Sequence, residues 1–286
     1  SYARLAHGIT STLDVFVDLE APVKCALLRL TNTSDVARRL AVVPYCQWAL
    51  GPPTDGQHLH VVTRYDAARG LVTATNPFNE TFQSRVAFLA ASHPARAATG
   101  DRVAFLGRHG THDAPAGLVR GLVPRFGGGL DPCAALDIGV ALGPGATAEL
   151  VIVLGQGDDQ AHAEALAARF AQVDGATEAR RRVEAHWAGL LDTVQVRTPD
   201  DSFDTMMNTW LLYQTLSCRI DGRTGYFQPG GAFGFRDQLQ DVLALCHAAP
   251  AVTRAHLLRA AGRQFVEGDV QHWWHEPSGR GLRSRC

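Results

Sequence analysis

The sequence predicts a β-sandwich followed by an α-helical linker and a further helical domain, and three observations carry that class. Short segments rich in Val, Leu or aromatics, separated by turn-forming residues, fill the first 154 residues. The hydrophobic period then changes from strand-like to helical near residue 155. From residue 198 onward, amphipathic helical segments alternate with stretches dense in polar and aromatic groups. The expected domains are therefore residues 1–154, 155–197 and 198–286.

Strand patterns fall at 13–19, 23–31, 37–50, 58–65, 71–74, 85–90 and 134–142. Turn signals divide them: Asn32-Thr33-Ser34-Asp35, Gly51-Pro52-Pro53 and Gly143-Pro144-Gly145. In 23–31 both faces are apolar, with Cys25 and Leu27 opposite Ala26, Leu28 and Leu30, as a strand between packed layers requires. The region 99–132 has weaker patterning and is read as loops and short strands, with His109 and His112 as exposed loop histidines.

Helical spacing predicts linker helices over 159–173 and 177–191, packed against the sandwich. Asp200 or Asp201 then caps a helix in which Phe203, Met206, Met207, Trp210, Leu211 and Gln214 form a core stripe. Another amphipathic helix is expected over 252–265, with Ala255, Leu258, Ala261 and Phe265 on its buried side. Gly268 ends it, so Glu267 to His275 is read as a loop. Its paired tryptophans suit either a sugar-stacking wall or an anchor holding the loop.

The stretch 210–241 is the densest in chemistry. Arg223, Arg236, Asp237, Asp241, Gln228 and Gln240 crowd with Tyr226, Phe227 and Phe233 about a Pro229-Gly230-Gly231 turn. Such a mixture suits a carbohydrate: carboxylates and amides pair with hydroxyls, guanidinium forks reach two oxygens, and aromatics cover the apolar C–H faces of a sugar ring. A helix beginning near Arg236 places Leu239, Val242, Leu243 and Cys246 on one face and Asp237 and Asp241 on another. The same spacing equally fits a first-turn acid at Asp237 complementing the helix dipole, with surface ion pairs beside it.

Composition narrows the class further. With 46% hydrophobic and 19% charged residues the chain is globular, and a net charge of −1 removes nonspecific nucleic-acid binding as a default. The six cysteines lack any Cys/His ligand spacing and are read as small buried hydrophobes in a reducing compartment; no metal is expected. No apolar run approaches the ~20 residues of a membrane span. The start at Ser1 and the end at Cys286 are read as those of a piece of something longer.

The run Gly230-Gly231-Ala232-Phe233-Gly234-Phe235-Arg236-Asp237-Gln238-Leu239-Gln240-Asp241 resembles glycoside hydrolase family 94, as does Glu267-Gly268-Asp269-Val270-Gln271-His272-Trp273-Trp274-His275. Asn76-Pro77-Phe78-Asn79, Gly129-Leu130-Asp131-Pro132-Cys133-Ala134-Ala135-Leu136 and Thr198-Pro199-Asp200 are similar to its cyclic β-1,2-glucan synthase branch.

The resemblance implies an N-terminal β-sandwich, a helical linker and an (α/α)6 barrel, of which 198–286 would be the first part. It also implies an inverting enzyme that breaks or forms β-glucosidic bonds with inorganic phosphate and glucose 1-phosphate. Inverting hydrolysis needs a second carboxylate to activate water. Phosphate is already a competent nucleophile, so one general acid and a cationic cradle suffice.

Carried over by motif, Asp237 matches the aspartate that grips the glucosyl unit, and Arg223 an arginine of the phosphate pocket, although the interval between them differs from that of cellobiose phosphorylases. Arg236, Asp241 and Gln240 brace the substrate site, and Gln271 and Trp273 are its further sugar contacts. A sugar-contacting arginine of cellobiose phosphorylases has no counterpart here, Gly231 or Ala232 standing in its place, so cellobiose is not the expected substrate. The general acid is expected beyond Cys286, which makes these 286 residues inactive by themselves.

The implied partners are a β-glucan oligosaccharide, phosphate or glucose 1-phosphate, and a second copy in a homodimer. Phosphate enters as co-substrate, with no cofactor. The implied location is cytoplasmic, as a free enzyme or as part of a larger membrane-bound synthase. A noncatalytic carbohydrate-binding module is the alternative.

Overall fold

Alternation of side chains in the N-terminal strands decides how they stack. A computed structural model describes residues 1–51, 55–223 and 230–285. In it the chain divides into two units, Ser1–Val183 and Glu184–Cys286, the division falling within one helix.

The first unit contains β1 (Tyr2–Ala6), β2 (Ile9–Val17), β3 (Val23–Asn32), β4 (Arg38–Val42), β5 (Tyr45–Gln47) and β6 (Val62–Asp66). It continues with β7 (Leu71–Thr75), β8 (Val86–Ala91), β9 (Ala97–Asp101), β10 (Pro132–Leu142) and β11 (Thr147–Gly157). One sheet has seven strands in the order β1-β2-β3-β11-β8-β7-β6; in the second, β10 pairs with β4, β5 and β9. Neighbours are antiparallel, as short turns allow. His7 and Gly8, both at positive φ (51° and 74°), form the two-residue turn closing Ala6 onto Ile9.

The seven-stranded sheet is buried on both faces at its centre. In β8, Ala87 and Leu89 join the core against the second sheet, with Leu136, Ile138 and Leu150. Val86, Phe88 and Ala90 of the same strand face the opposite core, made with α3 (Gln160–Phe170) and the first part of α4 (Val173–Leu191). A strand packed on both sides reads as a continuous apolar run, which Val86-Ala87-Phe88-Leu89-Ala90 is. Gly157 permits the α3 packing, since a Cβ there would lie 2.3 Å from the Ala163 amide nitrogen. Asp159 caps α3 by accepting from the His162 N–H at 2.8 Å.

Two ion pairs tie α4 to the strands. Arg180 binds Asp14, and Arg182 donates to Asp18 at 2.8 Å. Asp18 also accepts from the N–H groups of Glu20 and Ala21. Burial opposes its ionisation, but these donors and Arg182 hold its carboxyl below the usual range. Asn32, fully buried, donates to the carbonyls of Val36, Leu142 and Gly143 and so joins two turns.

Several expectations change here. The strand over 37–50 is interrupted between β4 and β5 at Pro44, which has no N–H for a ladder. Gln57–His60 is a 3-10 turn that delays β6 to Val62. Within 99–132 lie two short helices, α1 (Arg102–Leu106) and α2 (Ala116–Arg120). Pro52 and Pro53 lie outside the described residues.

In the second unit Asp200 caps α5 (Asp201–Thr205), accepting from the Ser202 and Phe203 N–H groups. The chain stays right-handed through a π turn (Met206–Trp210), α6 (Leu211–Gln214) and a second π turn (Thr215–Asp221). Asn208 pairs reciprocally with the Val196 backbone, holding the extended segment ahead of the helix. Phe203, Met206, Met207, Trp210 and Leu211 are 39–52% exposed, so the expected core stripe is not core here. Spacing at i, i+3, i+4, i+7 presumes 3.6 residues per turn, and the wider π turns spread it.

Next come α7 (Phe235–Asp241), a 3-10 turn (Val242–Leu245) and α8 (Pro250–Ala261). Gln238, Val242 and Leu245 are buried while Leu243 and Cys246 are exposed, because the tightened turn rotates the expected face. On α8 the buried side is Thr253, His256 and Ala260, with Leu258 outside. The expected loop 267–275 is mostly strand: β13 (Val270–His275) lies between β12 (Ala232–Gly234) and β14 (Gly281–Ser284). Among the described residues no helix is long and apolar enough to cross a membrane.

Candidate functional site

The motif-bearing residues of the second unit assemble on α7 and the small sheet. Gly231 enters β12 at φ 69°, a conformation open to glycine and strained for other residues. Antiparallel register then sets Phe233 against Trp274 and Gly234 against Trp273. Phe233 and Trp274 are buried and stack at 5.5 Å, forming the core face of the sheet. Trp273 points the other way, 39% exposed, with His275 edge-on at 5.4 Å.

Gln238 positions the start of α7. Its side chain is buried, accepting from the Gly234 N–H at 3.0 Å and donating to the Arg219 carbonyl at 3.0 Å. Two backbone groups that the helix and strand leave unpaired are thereby satisfied by one amide. Arg219 in turn donates to Asp241 at 2.8 Å, joining the second π turn to the end of α7. Neither role was drawn from the sequence. The available signal was Gln238 on the apolar side of a seven-residue helix, where a long amide needs buried partners.

Asp237 sits in the first turn of α7, where the helix dipole favours a carboxylate. Its carboxylate accepts from the adjacent Arg236 at 3.1 Å, the two side chains being 59% and 83% exposed. Asp241 turns to Arg219 instead, and Gln240 is exposed. Gln271 is bracketed, donating to the Gly279 carbonyl at 2.8 Å and accepting from Arg263 at 3.3 Å. Arg263 also covers Trp274, its guanidinium carbon 5.1 Å from the ring.

Arg223 has a left-handed backbone (φ 46°), which costs a non-glycine residue about 1–2 kcal/mol. Its guanidinium carbon lies 4.8 Å from the Phe233 ring centre. The structure thus brings Arg223 to the aromatic pair, Trp273 to the residue before α7, and Arg236 to Asp237. Tyr226, Phe227, Gln228 and Pro229 lie outside the described residues. Asp221 nearby is pushed up by burial, with His186 and Arg223 acting in the opposite sense.

Carboxylates and a guanidinium on α7 beside the exposed Trp273 of β13 are groups suited to a sugar's hydroxyls and apolar faces. Residues 1–173 match the model for the glycosyl hydrolase 94 supersandwich domain, and residues 186–284 that for the glycosyl hydrolase 94 superfamily catalytic domain. The chain belongs to glycosyl hydrolase family 94.

It is 38% identical over 265 residues to the cyclic beta-(1,2)-glucan synthase NdvB of Rhizobium meliloti (strain 1021), covering 92% of this chain and 9% of that protein. It is 26% identical over 283 residues to the N,N'-diacetylchitobiose phosphorylase of Vibrio furnissii, covering 95% of this chain and 35% of the other. The fold is similar to that of a bacterial glucoamylase complexed with acarbose, with TM-score 0.57 at 10% identity, covering 96% of this chain and 40% of that one. The chain spans about a third or less of the length of these curated relatives.

Proposed function

We propose that this chain is the sugar-gripping part of an inverting glycoside phosphorylase or glycosyltransferase acting on β-glucan, with β-1,2-linked glucan as substrate. Residues 198–286 would belong to an (α/α)6 barrel, a reading supported by the glucoamylase likeness in fold. The observation that carries the proposal is the Gln238 bracket. It sets Asp237 at the helix start, directly after a strand that pairs with Trp273.

In the proposed reaction Asp237 accepts hydrogen bonds from glucosyl hydroxyls and Trp273 offers its ring to an apolar sugar face. Arg223 draws in phosphate as the nucleophile, or the phosphoryl group of glucose 1-phosphate in the reverse direction. These groups bind and orient; the proton for the leaving oxygen comes from a separate general acid.

Calorimetry with β-1,2-linked glucose oligomers tests the reading. Asp237→Ala is expected to weaken binding by about 1–3 kcal/mol, because sugar hydroxyls lose a charged hydrogen-bond acceptor. Unchanged affinity would favour the second reading, a noncatalytic binding module, to which the exposed Arg236–Asp237 pair lends weight.

A further inference from the structure

We propose that Arg259 is a second anion-binding residue, which with Arg223 holds a phosphate or the phosphoryl group of a sugar phosphate beside Phe233. The inference rests on the phosphorylase reading and adds a residue that no motif pointed to.

Arg259 lies near the end of α8, and its guanidinium carbon is 4.7 Å from the Phe233 ring centre. Arg223 reaches the same ring at 4.8 Å from the second π turn's side. Two like charges thus converge on one ring. A ring face attracts a cation only weakly and neutralises neither guanidinium. Among the described residues, neither arginine has a carboxylate within salt-bridge distance. Asp241 is engaged with Arg219, and Asp237 with Arg236. Asp221 senses Arg223, but burial dominates its ionisation and disfavours the charge that would compensate.

A separate observation points to a ligand. His256, one turn before Arg259 on α8, is 1% exposed, and its ring centre is 6.0 Å from that of Phe233. Among the described residues neither ring nitrogen has a hydrogen-bond partner, and the buried Nε of Arg223 has none either. Buried polar atoms are seldom left unpaired. An anion spanning the two guanidiniums, with the water it carries, supplies acceptors for the Arg223 Nε–H and for the one N–H of a neutral imidazole. Burial and the Arg259 charge keep that imidazole neutral, Asp241 acting weakly the other way. The strained backbone at Arg223 fits the same account, since such strain gathers at binding sites.

The test titrates this chain with inorganic phosphate, glucose 1-phosphate and a β-1,2-linked glucose oligomer. Arg259→Gln is expected to weaken both phosphate ligands about tenfold to a hundredfold and leave the oligomer unchanged. Arg259→Lys, which keeps the charge but not the fork, should fall between the two. Phosphate should also shift the His256 ring resonances in the parent chain and not in Arg259→Gln. If Arg259→Gln binds phosphate as the parent does while Arg223→Gln does not, Arg259 is excluded and the phosphorylase reading stands. Loss of phosphate and oligomer binding together in Arg259→Gln also overturns the inference. A parent chain that binds neither ligand defeats both this inference and the reading beneath it.

Discussion

Gln238 shows how one buried side chain can fix the start of a helix. Replacing it by leucine fills the same space and leaves the Gly234 N–H and the Arg219 carbonyl without partners. The expected loss is about 1–3 kcal/mol for each orphaned group, read from urea denaturation of the second unit's tryptophan signal.

The thiols give another residue-scale expectation. Burial pushes Cys25 up to about 11 and Cys46 up to about 12, and raises Cys133 as well. A neutral-pH alkylating agent should therefore label Cys218 and Cys246, which are exposed, and spare those three until the chain unfolds. Reading all six as buried hydrophobes was right for Cys25 and Cys133 and wrong for Cys218 and Cys246. Cysteine type alone does not say which side of a π turn or a 3-10 turn it will take.

Among elements, legibility followed the regularity of the period. β3, β7, β8 and β10 lie where alternation or continuous apolar character placed them, because each is held by a sheet on at least one face. β13 was misread as a loop after Gly268, although Val270 and Trp274 are its buried residues, with a register shift against β14 between Gln271 and Trp273. Its ladder depends on β12 and β14, pairings that no local pattern announces.

The helical stripe failed for a different reason. Two π turns alter the number of residues per turn, so a face counted at helical spacing does not stay on one line. Within the first unit, Gly157→Ala should separate β11 from α3 and destabilise by about 1–3 kcal/mol, measurable as a lower midpoint in thermal unfolding. The neighbouring change Asp158→Ala, at an exposed ion pair, should cost no more than about 1 kcal/mol in the same experiment.

At the scale of the molecule, the two units predict two behaviours. Residues 1–183 carry their own two-sided core, and in them Trp48 is the single tryptophan. Produced alone, they should unfold in one transition seen alike by Trp48 fluorescence and circular dichroism. Non-coincident curves would deny them independent stability.

The second unit should be acid-sensitive through His256. Burial and Arg259 lower its folded pKa below the ordinary 6.5. The unfolded chain therefore takes up the proton first, and stability falls as pH drops below about 6.5, levelling off beneath the folded value. His256→Gln should flatten that slope, with the midpoints of denaturation at pH 5 and pH 7 drawing together.

The family-bearing motifs were legible as a cluster because unlike polar groups had no packing reason to gather. Arg259 was not, since nothing distinguishes one arginine of an amphipathic helix from another until Phe233 is placed beneath it. Phe233 serves Trp274 as a stacking partner and two guanidiniums as a platform. A leucine there would still plug the interior, yet it would strip both cations of their seat. Evolution cannot adjust the firmness of this small fold and the seating of these two cations as separate traits, because one flat ring governs both.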